Sequence, residues 1–194
     1  MMEIIKGKDL IWDTDNYDVI LVGTSIYNLL TQGIQSKLVV KYPDMKLEDA
    51  NNSTPYADIR KLGKRITVSG EPSISLMYIC KYPHSKRVFL DYDALEKCLD
   101  SANMEFKGKK VATTVLGASR FDGNGDKDRC LGIIKEHTKD MDLHVYDYEQ
   151  LRKRDEIKSV YQKFNEYAQK GDWDTWWSLV YQKDEIIKKF YLRH

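Results

Sequence analysis

Short continuous apolar runs recur along the first three quarters of the chain, and helical patterns alternate with them. The run "YDVILVG" (17–23) carries no internal polar alternation, which marks a strand buried on both faces. "SLMYICKY" and "KKVATTVLG" read the same way, and "DLHVYDYE" reads as a final strand. "EIIKGKDLIW" opens as a strand that breaks at Gly7. "RITVSG" precedes "SLMYICKY" with "GEPS" between them, so the two are expected to pair. Between the strands, "NLLTQGIQSKLVVKY" places Leu29, Leu30, Ile34, Leu38 and Val39 near helical spacing, in a helix that stops before Pro43. "YDALEKCLDSANMEF" places Leu95, Cys98, Leu99 and Ala102 on one face, and "DKDRCLGIIKEHTK" is a further helix. "EDANNSTPYAD" is polar, rich in turn formers, and reads as loop. Strands alternating with helices predict an α/β or α+β layered domain.

After "QLRKRDEIK" the pattern changes to two amphipathic helices broken at "KGDW". The first presents Ile157, Val160, Tyr161, Phe164 and Ala168, and the second Trp173, Trp176, Trp177, Val180, Tyr181, Ile187 and Phe190. Such stripes either pack against a domain or dock a protein partner, since Trp and Tyr are enriched at interfaces. Residues 1–150 and 151–194 are therefore the expected division.

Composition narrows the function classes. A net charge of +1 over 194 residues supplies no footprint for nonspecific nucleic-acid binding. No apolar run reaches membrane-spanning length, and Met1-Met2-Glu3 does not open a signal peptide. Cys80, Cys98 and Cys130 fit no zinc spacing and suit free thiols in a reducing cytoplasm. His84, His137, His144 and His194 are scattered, so neither a histidine metal site nor a serine triad is indicated.

The stretch "LGASRFDGNGDKDRC" (116–130) concentrates the chemistry. A calcium loop starting at Asp122 would put Asn124 and Asp126 at its third and fifth positions. The sixth must be glycine and is Lys127, and the twelfth must be glutamate and is Ile133, so the EF-hand reading fails. A polar turn with Asp126 or Asp128 as helix N-cap explains two of the acids but not the two glycines, Gly123 and Gly125, set between Asp122 and Asp126. A loop wrapping a diphosphate explains those, because Gly123 and Gly125 let backbone N–H groups approach an anion without a side chain between.

The order of these segments resembles a macro domain, the ADP-ribose-binding fold, over roughly residues 2–149. "EIIKGKDL" is similar to the opening strand that delivers an aspartate to the adenine, here Asp9. "LLTQGIQSKLVVKYP" resembles the first binding loop running into its helix, with Gly33 and Ile34 as one wall. "VLGASRFDGNGD" resembles the strand leading into the second, phosphate-wrapping loop, with Gly117, Ser119, Gly123, Asn124 and Gly125. Within that family, "TQGIQSKLVVKYP", "LMYICKYPHSKRVFLDYDALEKCLDSA" and "DLHVYDYE" look closest to the small single-domain glycohydrolases that release terminal ADP-ribose from acidic side chains. That branch lacks the Asn pair after the second strand, and so does this chain, which has "LVGTS" there.

The resemblance implies a three-layer α/β sandwich with a mixed central sheet, to which the C-terminal pair of helices is added. It implies a ligand, ADP-ribose or an ADP-ribosylated macromolecule, and no cofactor or metal. It also implies a chemistry: Lys81 attacks C1″ of the distal ribose and Asp122 acts as acid and base, with Asp126 as the fallback. Tyr148 falls where the family places a side chain against the adenine. An amine attacks only when neutral, and Lys81 at the end of the apolar "YICKYP" strand is expected to gain partial burial. Two other functions stand beside the hydrolase: a reader that binds ADP-ribose without turnover, and an adaptor acting through the Trp-rich C-terminal helices.

Overall fold

The computed structural model describes residues 2–27, 29–30, 33–51, 54–55, 57–82, 88–119 and 122–148. The two C-terminal helices expected over 151–194 lie outside the described residues. Six strands form one sheet: β1 (Met2–Lys6), β2 (Val19–Ser25), β3 (Arg65–Val68), β4 (Ser73–Cys80), β5 (Lys110–Thr114) and β6 (Asp142–Asp147), in the order β1-β6-β5-β2-β4-β3. The neighbours β6, β5, β2 and β4 run parallel, and β3 turns back antiparallel on β4. All seven residues of β2 are buried, as a central strand covered on both faces requires.

Two faces follow from the period of two along each strand. On one, Val19, Leu21, Met77, Ile79, Val111, Leu143 and Val145 pack in a single core with α3 (Tyr92–Glu105) and α4 (Lys127–His137). The helices answer with Leu95, Cys98, Leu99, Ala102, Cys130, Ile133 and Ile134, the α3 stripe being the one its spacing predicts. Asp91 caps α3 by accepting from the Ala94 N–H at 3.0 Å. Asp126 caps α4 by accepting from the Arg129 N–H at 2.8 Å.

The opposite face buries Ile20, Val22, Leu76, Tyr78 and Tyr146. It meets the 3-10 turns Leu10–Trp12, Thr14–Asn16 and Ile59–Lys61 and the helix α1 (Gly33–Lys41). Tyr146 donates to Asp13 Oδ2 at 2.8 Å, its hydroxyl lies 2.8 Å from that of Tyr17, and the Lys61 ammonium sits 5.1 Å from the centre of the Tyr78 ring. Gln35 of α1 donates to the Gly23 carbonyl of β2.

Two departures from the sequence reading occur on this side. The helix expected from Leu29 begins only at Gly33, because Leu30 takes the left-handed conformation (φ 52°) and is buried as part of the connection. A second helix, α2 (Asp44–Asn51), overlaps the start of the segment read as loop. It follows Pro43, a residue preorganised for a helix start.

Candidate functional site

Parallel strands place their carboxyl ends at one edge of the sheet, and in open α/β sheets that edge holds the ligand crevices. Here it gathers three connections: the segment between β2 and α1, the chain leaving β4 at Lys81, and residues 115–126 between β5 and α4. A stitch joins the last two. Cys80 and Leu90 form an isolated antiparallel bridge, the Asp91 N–H donates to the Ile79 carbonyl at 2.9 Å, and the Phe89 and Leu90 N–H groups both donate to the Gly123 carbonyl at 2.9 Å. The end of the Lys81 strand and the Asp122 loop are thereby bound to each other through residues 89–91.

The loop is built around two carbonyls. Ser119 O accepts from the N–H groups of Asp122 (3.1 Å), Gly123 (3.1 Å) and Asn124 (2.8 Å), and Gly117 O accepts from that of Gly125 (2.8 Å). Gly117 has φ 79° and Asn124 φ 52°, the left-handed region that glycine and asparagine tolerate best. The glycines have a packing reason that the sequence reading did not contain. A Cβ on Gly117 or Gly125 would lie 2.6 Å from Leu90 Cδ2, and one on Gly123 would lie 2.7 Å from Leu90 Cβ. The Leu90 side chain thus rests against all three glycines. The amides of Gly123 and Gly125, read from the sequence as an anion cradle, are donating within the loop in this structure, as is that of Asn124.

Asp122 lies at the centre of this arrangement and is 5% exposed. Its Oδ2 accepts from the Gly117 N–H at 3.2 Å. Its Oδ1 is buried without a hydrogen-bond partner, the only side-chain oxygen or nitrogen in that state among the described residues. Burial pushes its carboxyl up from 3.8 to about 7, against the opposing pull of the backbone N–H groups around it. Its charge is felt by two buried thiols. Burial first and Asp122 second raise Cys80, and burial, Asp122 and Asp126 raise Cys130 to about 12. All three cysteines are free and buried. A neutral-pH carboxylic acid with one unpaired oxygen can give or take a proton, the property required of a general acid or base.

The remaining candidate residues are distributed as follows. Lys81 is exposed, one position past the end of β4, so the partial burial expected from its apolar strand is not found: burial runs unbroken over 74–80, on both faces, and stops where the strand stops. Asp126 caps α4, and its own N–H donates to the Tyr92 hydroxyl at 2.9 Å, while the Arg129 guanidinium stacks 3.7 Å from the centre of the Tyr92 ring. Asp9 is buried and caps the turn Leu10–Trp12 by accepting from the Ile11 N–H at 3.2 Å, and its other oxygen is ion-paired with Lys37 of α1. Gly33, with φ 58°, and the half-buried Ile34 open α1. Tyr148 directly follows β6. Leu90 and Lys37 were not singled out by sequence reasoning. Neither contact has a periodic signature, since each joins segments 27 or more residues apart. No cluster of three or more metal-ligating side chains occurs among the described residues, and no described helix is long and apolar enough to cross a membrane.

No family model matches the chain, and no curated protein matches it. Solved structures do. The chain is similar to Thermosipho africanus DarTG in complex with ADP-ribose, with a TM-score of 0.60 and 10% identity over 77% of this chain and 42% of that one. It thus spans less than half the length of that protein. A Bacteroides thetaiotaomicron protein of unknown function is similar at a TM-score of 0.58 and 19% identity, covering 75% of this chain and 98% of that one. The macrodomain of Mycobacterium tuberculosis DarG is similar at a TM-score of 0.57 and 15% identity, again over 75% and 98%. The mixed six-stranded sheet between its helical layers is the macrodomain fold.

Proposed function

We propose that this chain binds ADP-ribose at the carboxyl edge of its sheet and releases it from ester-linked conjugates. The fold it shares with DarTG, solved with ADP-ribose, supports the ligand class. The observation that carries the chemistry is Asp122: a buried carboxyl with one unpaired oxygen and a proton affinity near neutrality, stitched to the strand that leads into Lys81. In this reading the base lies near Asp9, and the diphosphate runs between the start of α1 and residues 117–125. The distal ribose then reaches Asp122 and Lys81. The Lys81 amine forms a bond to C1″ as the bond from C1″ to the acyl oxygen breaks. Asp122 moves the proton that accompanies departure of the carboxyl group and the later entry of water. Lys81 is exposed in the free protein, so bound substrate has to supply the dry surroundings that favour attack.

A second reading, a reader that binds without turnover, is favoured by one feature of the loop. Its amides are already donating internally and the Asp122 carboxyl is sealed from solvent. Incubation with an ADP-ribosyl carboxylate ester separates the two. Release of free ADP-ribose above the buffer rate, lost in Asp122→Asn, is the expected result, and binding without release assigns the protein to the readers.

A further inference from the structure

Helix α1 reaches the segment after β1 through two lysines one turn apart. Lys41 donates to Asp15 Oδ1 at 2.7 Å and to Thr14 Oγ1 at 2.6 Å, and the neighbouring Tyr42 hydroxyl donates to Thr14 Oγ1 at 2.9 Å. Four residues earlier, on the same side of the helix, Lys37 is ion-paired with Asp9 Oδ2. The two partners differ in exposure. The Asp9 side chain is 10% exposed and has its other oxygen on the Ile11 N–H, whereas the Lys37 side chain is 51% exposed. An ammonium carries three donors, so a group approaching Asp9 from solvent meets an acceptor and a donor side by side.

Resting on the reading that Asp9 faces the base, we infer that Lys37 is a specificity-determining residue which makes the base subsite accept 6-amino and 6-oxo purines alike. An adenine amino group donates to Asp9. A hypoxanthine carbonyl, which a lone carboxylate would repel, accepts from Lys37 instead. Without Lys37 the carbonyl would face Asp9 with no donor, and an acceptor left buried and unpaired is strongly disfavoured. Lys37 is half in solvent, so the ion pair holds its ammonium only lightly and leaves it able to turn toward a ligand, while Asp9 stays fixed as the cap of its turn.

The test is calorimetric titration of the full chain with ADP-ribose and with its analogue carrying hypoxanthine in place of adenine. Wild type is expected to bind the two within about threefold, and Lys37→Met to prefer ADP-ribose by about tenfold or more. Lys41→Met is the control, expected to leave the ratio near one. Lys37→Met keeps α1 anchored through Lys41, Tyr42 and the buried Leu38, and a thermal melt checks its folding. A wild type that prefers ADP-ribose tenfold, with the same preference in Lys37→Met, overturns the inference while leaving the functional reading intact. So does an equal loss for both ligands in Lys37→Met, which would place the lysine on the phosphates. Binding of neither ligand by a folded wild type removes the functional reading and this inference with it.

Discussion

Replacing Asp122 with Asn should change how stability depends on pH, in a direction and by an amount that the structure sets. An acid whose pKa is raised on folding holds its proton more tightly in the native state than in the unfolded one. Stability is therefore greatest below the unfolded value of 3.8 and falls as pH rises toward the folded value of about 7. With those end points, and 1.36 kcal/mol per pKa unit, wild type loses about 3 kcal/mol between pH 4.5 and pH 8 from this group. Asn carries no charge to bury, so the variant lacks that slope. It retains a carbonyl for the Gly117 N–H but sets an NH2 group where Oδ1 has no partner, at a cost of about 1–3 kcal/mol that does not vary with pH. Asp122→Asn should accordingly be less stable than wild type at pH 4.5 and equal or more stable at pH 8. Urea unfolding at both pH values measures this, and subtracting the two proteins removes every other titrating group. A difference that moves by less than about 0.5 kcal/mol across that range would refute the claim that folding desolvates this carboxyl.

Three further outcomes follow from the same geometry. Gly125→Val should destabilise by about 1–3 kcal/mol, read as a lowered melting temperature, because its Cβ would sit 2.6 Å from Leu90 Cδ2 and 3.1 Å from the Gly117 carbonyl; an unchanged melt would contradict the packing. Lys81→Ala should remove turnover of an ADP-ribosyl ester yet leave ADP-ribose affinity within about threefold, since its interaction belongs to the transition state; unchanged turnover would take Lys81 out of the mechanism. Asp126→Ala should cost about 1 kcal/mol of stability through loss of the α4 cap and leave turnover intact, and a loss of turnover at full ligand affinity would return Asp126 to the chemistry.

The architecture was legible wherever burial imposes a period. The continuous apolar run within 17–23 became the central strand β2, and the stripe Leu95, Cys98, Leu99 and Ala102 became the buried face of α3. Helix α2 was not legible, because Met45 is buried while Leu47 is 61% exposed, so no stripe forms. Leu29 and Leu30 looked helical because burial was read as periodicity; Leu30 is buried through a left-handed connection instead. At the site, the acids and glycines of residues 117–126 stood out by spacing alone, but their surroundings did not. The orphaned Asp122 oxygen and the Leu90 contact with three glycines arise from residues brought together by sheet order, which no local window encodes. The expected burial of Lys81 failed for a simpler reason. The unbroken burial of residues 74–80 ends with the strand, and Lys81 lies one position past it.

Binding of ADP-ribose to the wild-type chain is the claim on which the proposed chemistry and the base-specificity inference both stand. Isothermal titration calorimetry of the folded protein with ADP-ribose tests it without assuming any reaction. A saturable one-to-one heat is expected, weakened in Gly125→Val and retained in Lys81→Ala. A flat titration of a protein that still melts cooperatively would contradict it.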